Sequence, residues 1–271
     1  MSDASTRGEV DMIGAIAGDI IGSVHEHALT KSTAFTLFDP LCRFTDDTVL
    51  TVATAYAILT GTPYKAAYRD FGRQHPDAGY SRAFYGWLLA EDPVPYQSWG
   101  NGSAMRVGPV GFAFGNVDDV LLEAARSAAV THDHAEGIKG AQATALAVFL
   151  ARAGAPKDQI RRDLVQRFGY NLDRTVEQIR PSYQWDVSCQ GSVPEAIVAF
   201  LDSTDVESAI RLAVSLGGDA DTQATIAGGI AEAFYRHVPE TIVGAVRARL
   251  PPRFIEVLDA FRQAFPLDAE R

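Results

Sequence analysis

The sequence predicts an all-α protein, with one helical domain over residues 1–271. Three observations predict it. Apolar residues recur three and four positions apart in nearly every segment. Helix-start residues punctuate those segments at regular intervals. No sustained alternation of apolar and polar residues appears, and no Pro/Gly/Ser linker divides the chain.

The first helix is expected over Asp11–Val24, where Met12, Ile13, Ile16, Ile20 and Ile21 fall on helical spacing. Gly14, Gly18 and Gly22 recur every fourth residue along it. Such a stripe lets another helix, or a ligand, approach the backbone closely. Asp11 and Asp19 argue against a membrane setting for it. Thr45-Asp46-Asp47-Thr48 opens the next helix, running into Val49–Ala53, and Thr62-Pro63 opens a third. Ile138–Arg152 and Asp221–His237 read as alanine-rich helices. Ser192-Val193-Pro194-Glu195 and Thr204-Asp205-Val206-Glu207 each match a capping box. Pro239 and Pro252 start the last two helices. Three long irregular stretches remain, at 28–43, 91–103 and 178–192, and long loops in a compact helical protein tend to carry function.

Bulk composition bounds the function. Hydrophobic residues make up 47%, enough for a substantial core, and the net charge of −10 disfavours nucleic acid and anionic membrane as partners. Two cysteines, Cys42 and Cys189, form no disulfide framework and fit a reducing compartment. Met1–Glu9 is polar, with no apolar signal core, and no run approaches the ~20 apolar residues of a membrane span. A soluble, cytoplasmic monomer is expected.

Two acidic motifs echo each other, Thr45-Asp46-Asp47-Thr48 and Asp219-Ala220-Asp221-Thr222. Each places two carboxylates and a threonine hydroxyl at a helix start. Either alone is an ordinary cap, since Asp and Thr side chains accept the free N–H groups there. Brought together, four carboxylates require a counter-charge, and an all-oxygen donor set favours Mg²⁺, Mn²⁺ or Ca²⁺ over zinc. Gly217-Gly218 before the second motif permits close backbone approach.

Three further segments carry chemistry. Glu26 follows the glycine-striped helix and reads by itself as a solvated helix-end residue. Gly100-Asn101-Gly102-Ser103-Ala104-Met105-Arg106 is a loop entering a helix, whose amides can cradle a phosphate, or a plain turn. Trp99 before it can stack on a base or fill the core. Thr131-His132-Asp133-His134 offers a His-Asp pair of the kind helical phosphohydrolases use for metal, or an ordinary hydrogen-bonding histidine.

The ordered set Gly18-Asp19-Ile20-Ile21-Gly22-Ser23 with Glu26, then Thr45–Thr48, Gly100–Arg106, Thr131-His132 and Gly217–Thr222 resembles the ADP-ribosylglycohydrolase family across roughly residues 8–236. The resemblance implies a compact, orthogonal all-α fold with two Mg²⁺ or Mn²⁺ ions in a central cleft. By motif position it implies Thr45, Asp46, Asp47, Asp219, Asp221 and Thr222 as metal ligands. Glu26 matches a mobile glutamate beside the metals. Ser98, Gly100, Asn101, Gly102 and Ser103 match the diphosphate-holding loop, with His132 lining the same cleft and Trp99 on the adenine side. Gln223 departs from the aliphatic residue expected there, and Tyr183–Ser192 lies where members of the family differ.

The expected function is metal-dependent hydrolysis of the glycosidic bond between ADP-ribose and a modified group. A protein arginine is the acceptor expected by resemblance, and a small-molecule conjugate is the other substrate class. ADP-ribose would be the product, with Glu26, Asp46 and Asp47 the candidates for handling the proton. Two alternatives stand beside it: an ADP-ribose-binding module without catalysis, and a helical nucleotide phosphohydrolase working through His132 and Asp133.

Overall fold

The structure, a computed structural model, describes residues 12–266. Asp11 and the polar stretch Met1–Glu9 lie outside the described residues. Fifteen helices are found among the described residues. They are α1 (Ile13–Gly22), α2 (Asp46–Thr60), α3 (Tyr64–Gln74), α4 (Arg82–Leu89), α5 (Gly102–Met105), α6 (Gly108–Ala113), α7 (Val117–Ala129) and α8 (Ala135–Arg152). They continue as α9 (Lys157–Phe168), α10 (Val176–Ile179), α11 (Cys189–Asp202), α12 (Val206–Val214), α13 (Ala220–Tyr235), α14 (Glu240–Arg247) and α15 (Pro252–Ala264). The all-α expectation holds: the one extended pairing among the described residues is an isolated antiparallel bridge, Gly100 with Ser188. Among the described residues no helix is long and apolar enough to cross a membrane.

Two helices sit at the centre. Every residue of α1 is buried, as is nearly all of α13. A helix apolar on all sides can be stable in water only when other elements cover it. Here α13 packs against α1, α8, α11 and α12, while α2 is covered by α3, α6 and α15. The glycines of α1 serve this packing. A methyl group at Gly18 would overlap the carbonyl oxygen of Ala224, and one at Gly14 would come within 2.5 Å of the Gly228 carbonyl oxygen. The backbones of α1 and α13 therefore touch, which only a missing Cβ allows. The start of α1 is held by the same partner: the Gly14 N–H donates to Glu232 Oε2 at 2.7 Å, so a buried carboxylate satisfies a helix N-terminus.

Several starts differ from the expected ones. The cap of α11 is Ser188, which accepts from the Gly191 N–H, so Ser192 lies inside the helix and Pro194 is an interior proline. The Pro194 ring is tolerated because the carbonyl it leaves free belongs to exposed Gln190. The second box is real but shifted by one residue, to Asp205 with Ser208. Thr62 does not cap α3, whose preceding residue is Pro63. The irregular segment expected over 178–192 shortens to 180–188, because α10 and α11 claim its ends.

Replacing Gly18 by alanine forces α1 and α13 apart and is expected to cost about 3 kcal/mol. Gly244 in α14 has open space around it, so Gly244→Ala is expected to stabilise by about 0.5–1 kcal/mol. Denaturant midpoints of the two variants against the parent check both signs.

Candidate functional site

The site forms where the start of α2 meets the middle of α1. Asp19 is completely buried. Its carboxylate accepts the Thr45 N–H at 2.8 Å and Thr45 Oγ1–H at 2.7 Å. It also accepts the Thr48 N–H at 3.1 Å and the Thr48 hydroxyl. An aspartate on one helix thus caps another, and the Thr-Asp-Asp-Thr segment is held on α1. Thr45 is at the same time an ordinary N-cap, accepting from the Asp47 N–H at 3.3 Å. The cap interpretation of this motif is therefore true of Thr45 and leaves the carboxylates unexplained. The Asp46 N–H goes to the Ala78 carbonyl at 2.8 Å.

The second motif arrives on α13. Asp219 stands at its N-cap position and makes no side-chain capping bond. Its carboxylate instead accepts Asn101 Nδ2–H at 2.7 Å. Thr222 Oγ1 lies 3.4 Å from Asp47 Oδ2, joining the two motifs. One oxygen each from Asp19, Asp47 and Asp221 fall within 4.8 Å of one another, as do one each from Glu26, Asp219 and Asp221. Asp221 belongs to both groups. Each of the two three-carboxylate groups could hold a cation.

The electrostatics point the same way. Burial, followed by the charge of Asp19, pushes the carboxyl of Asp46 up to about 8. Burial and then Asp19 raise Asp47 well above the carboxylate range, and burial and then Asp47 do so for Asp221. Asp219 and Asp19 are also raised, chiefly by burial, against the pull of their hydrogen-bond donors. Burial and then Asp219 raise Glu26. Carboxylates so placed must hold protons or cations. Asp47 Oδ1 is buried with no hydrogen-bond partner, an acceptor left open in the middle of the cluster. The donors are all oxygens, so the residues fit a hard divalent cation.

The cluster floors a cleft of about 590 Å³, lined by Glu26, Asp46, Trp99, Asn101, His132 and Trp185 among others. Of the residues expected at the site, Thr45, Asp47, Asp219, Asp221 and Thr222 converge on its floor. Asp46 lines the cleft but belongs to neither three-carboxylate group. Ser98, Trp99, Gly100, Asn101 and Gly102 form one wall. Ser103 turns away: it is buried and donates to the Gly137 carbonyl at 2.7 Å. The Thr131–His134 segment splits three ways. His132 lines the cleft, Asp133 accepts the Gln97 N–H at 2.7 Å, and His134 caps α8. Among the described residues no three-ligand group contains His132 or Asp133, which disfavours the phosphohydrolase alternative.

Asp19 is the functional-site residue that sequence reasoning missed. Its signal was present: a lone carboxylate in the middle of an otherwise apolar helix must be paired or ligating once buried. The loop at 180–188 was legible as variable but not as part of the wall. Its Val187 carbonyl accepts the Asn101 N–H at 2.8 Å, and the Trp99 carbonyl accepts the Cys189 N–H at 2.9 Å. Gln223, the departure noted after Thr222, donates to Tyr183 Oη at 3.0 Å, which donates to the Gly191 carbonyl at 2.9 Å. The unexpected amide thus ties α13 to that loop.

Comparison with known proteins agrees with this architecture. A family model described as ADP-ribosylglycohydrolase matches residues 7–269. The chain is similar to ADP-ribosylhydrolase ARH3 of Mus musculus, 28% identical, covering 85% of this chain and 84% of that one. It is also similar to ADP-ribosylarginine hydrolase Tri1 of Pseudomonas putida (strain GB-1), 30% identical over 58% of this chain and 43% of that one. A solved structure titled "ADP-ribosylglycohydrolase-related protein complex" superposes with a TM-score of 0.73 at 26% identity, covering 94% of this chain and 96% of that one.

The raised carboxyls set a pH dependence. A group whose folded pKa lies above its unfolded value stabilises fully below the unfolded value and loses that contribution as pH rises through the folded one. For Asp46 the window runs from 3.8 to about 8. Chelator-treated protein should lose stability across it, and a divalent cation should reverse the loss. The rise in melting temperature on adding Mg²⁺ or Mn²⁺ is expected to be larger at pH 8 than at pH 5, because protons compete for the same oxygens. Asp221→Asn should abolish the rise. An equal rise at both pH values, or one that survives the substitution, would count against a cation bound by this cluster.

Proposed function

The chain belongs to the ADP-ribosylglycohydrolase family, and on that premise we propose that it cleaves the glycosidic bond joining ADP-ribose to a protein arginine side chain, with two divalent cations, Mg²⁺ or Mn²⁺, at the carboxylate cluster. The observation that carries the proposal is the convergence of both acidic motifs on Asp221, with Asp19 and Asp47 on one side and Glu26 and Asp219 on the other. A binding module without catalysis has no use for so many buried carboxylates, whose burial is costly.

Thr45, Asp47, Asp219, Asp221 and Thr222 are the expected metal-holding side chains, joined by Asp19, with Asp46 at the edge of the cleft. Bound there, the cations would supply Lewis acidity and orient the ribose hydroxyls. The rest is done by the chain's own residues. The bond breaks through an oxocarbenium-like state, so a proton must reach the leaving group or leave the attacking water. Glu26 is the candidate we favour for that role. It is half-buried on the cleft wall, and burial and the Asp219 charge raise its carboxyl, which favours a group able to hold a proton. Asp47 is occupied by hydroxyl contacts from Thr45 and Thr222, which suits an orienting role better. Asp46 remains the second candidate for proton transfer, being on the cleft wall with its carboxyl near 8.

Neutral donors suit the diphosphate in an acidic protein. The Gly102 and Ser103 N–H groups at the start of α5 can provide them, since the Gly100 N–H goes to Ser98 Oγ and the Asn101 N–H to the Val187 carbonyl. Trp99 and Trp185 are half-exposed at the rim, at 49% and 50%. Their ring faces offer stacking for adenine and, with Glu26, attraction for a guanidinium acceptor. Tri1, named an ADP-ribosylarginine hydrolase, is among the relatives.

A panel of defined ADP-ribosylated substrates, arginine-linked and serine-linked, tests the acceptor. Release of ADP-ribose is expected to be fastest from arginine and to stop on exhaustive chelation. Undiminished turnover without metal would overturn the cation requirement, and no turnover on any conjugate would favour the binding module. Glu26→Gln keeps the size and removes the proton-accepting charge. Its kcat is expected to fall by roughly 10²-fold or more while calorimetric affinity for ADP-ribose persists. A wild-type rate would shift the proton-handling role to Asp46.

A further inference from the structure

Among the described residues Arg106 is the largest fully buried side chain, and it makes no ion pair. Its guanidinium lies over the Tyr68 ring at 4.3 Å. Nη2 donates to the Ser127 carbonyl at 3.2 Å and to Thr131 Oγ1 at 2.8 Å. Thr131 Oγ1 in turn lies 2.7 Å from His132 Nδ1. All three side chains are buried, and Arg106 and His132, which both line the cleft, are joined through Thr131.

The proton positions along this line follow from what each group is able to do. A guanidinium only donates. Thr131 Oγ1 therefore accepts from Arg106 and still has its own hydrogen to place. Among the described residues its one other hydrogen-bond partner is His132 Nδ1. A buried hydroxyl that left its hydrogen unpaired would be penalised. So Thr131 donates to Nδ1, and Nδ1 carries no proton. The proton of the neutral ring then sits on Nε2. That edge of the ring faces the loop wall: a methyl group built on Gly102 would lie 3.3 Å from Nε2, and one on Gly100 3.7 Å. The ring must also be neutral, because an imidazolium would donate from Nδ1 to Thr131 Oγ1, leaving the threonine hydrogen without an acceptor, and would stand beside a buried guanidinium. Burial and the Arg106 charge indeed hold His132 well below its ordinary value.

We propose that Arg106 and Thr131 are positioning residues that lock His132 in its neutral, Nε2-protonated form, so that it meets an anionic oxygen of the substrate as a fixed hydrogen-bond donor and takes no part in proton transfer. The inference rests on the cleft binding the diphosphate of ADP-ribose. It explains why an acidic protein uses a neutral histidine there: the donor needs no change of protonation on binding and adds no positive charge beside the carboxylate cluster.

Two-bond ¹H–¹⁵N correlation spectra of the uniformly ¹⁵N-labelled full chain distinguish the two neutral tautomers and the imidazolium, with the His132 signals assigned by their loss in His132→Gln. At pH 7 the parent is expected to give the Nε2–H pattern. Thr131→Val removes the hydroxyl and should give a mixture of tautomers, with ADP-ribose affinity by calorimetry weakened roughly tenfold. Thr131→Ser should restore both. A parent histidine protonated on Nδ1 or on both nitrogens overturns the proposal. So does a Thr131→Val protein that keeps the parent pattern and affinity, and so does one whose losses serine fails to rescue. If the parent binds no ADP-ribose, the functional reading fails, and the spectra still decide the tautomer lock.

Discussion

The carboxylate of Asp19 is the contact on which the site depends. It is buried in a helix, and it is tolerable there because four donors from the start of α2 surround it. Those donors are the N–H and hydroxyl groups of Thr45 and Thr48. They fix the direction in which Asp46 and Asp47 leave the helix start. Without this clamp, Thr-Asp-Asp-Thr would be a mobile cap, and Asp47 would not meet Asp221.

The site then concentrates like charges to a degree the rest of the protein avoids. Asp19, Asp47, Asp219, Asp221 and Glu26 face one another, with Asp46 at the edge, and each of these carboxyls is raised from its ordinary value. Hydrogen bonds to Thr45, Thr48 and Asn101 relieve part of the repulsion, and protons or cations must supply the remainder. Among the described residues the one buried arginine or lysine is Arg106, which also lines the cleft; its Nη2 donates to Thr131 and the Ser127 carbonyl and its guanidinium lies over Tyr68 rather than pairing with a carboxylate. Keeping it separate leaves the acidic cluster free to take a ligand cation.

The helices that were legible carried a signal of their own, a spacing, a cap or a flanking proline, whereas α4, α6, α7, α9 and α10 were not singled out. The central seam was half legible. The glycine stripe announced a close approach, and the structure supplies its partner, the Ala224–Gly228 face of α13. The acidic motifs were legible from order and composition, whereas Asp19 was passed over: a lone carboxylate in an apolar helix signals a partner, but the sequence does not say which. Ser103 illustrates the opposite failure. Its place in the Gly-rich loop made it look like a ligand contact, but the first turn of α5 carries it inward to the Gly137 carbonyl. Capping boxes slid by a residue or more for the same reason: serine, threonine and aspartate are interchangeable at helix starts, and tertiary contacts choose among them.

The seam between α1 and α13 joins the first helix to one more than 200 residues further along, with α14 and α15 still to follow. Gly14 and Glu232 are 218 positions apart and share a hydrogen bond. Asp19 on one helix and Asp221 on the other are neighbours only once that loop closes. Closure on this scale is slow and comes late, since its entropy must be overcome before any contact across it contributes. A chain emerging from the ribosome carries Asp19, Asp46 and Asp47 long before Asp219 and Asp221 follow. The cluster is therefore incomplete through most of synthesis, and its repulsion is not felt until the surrounding core exists to contain it.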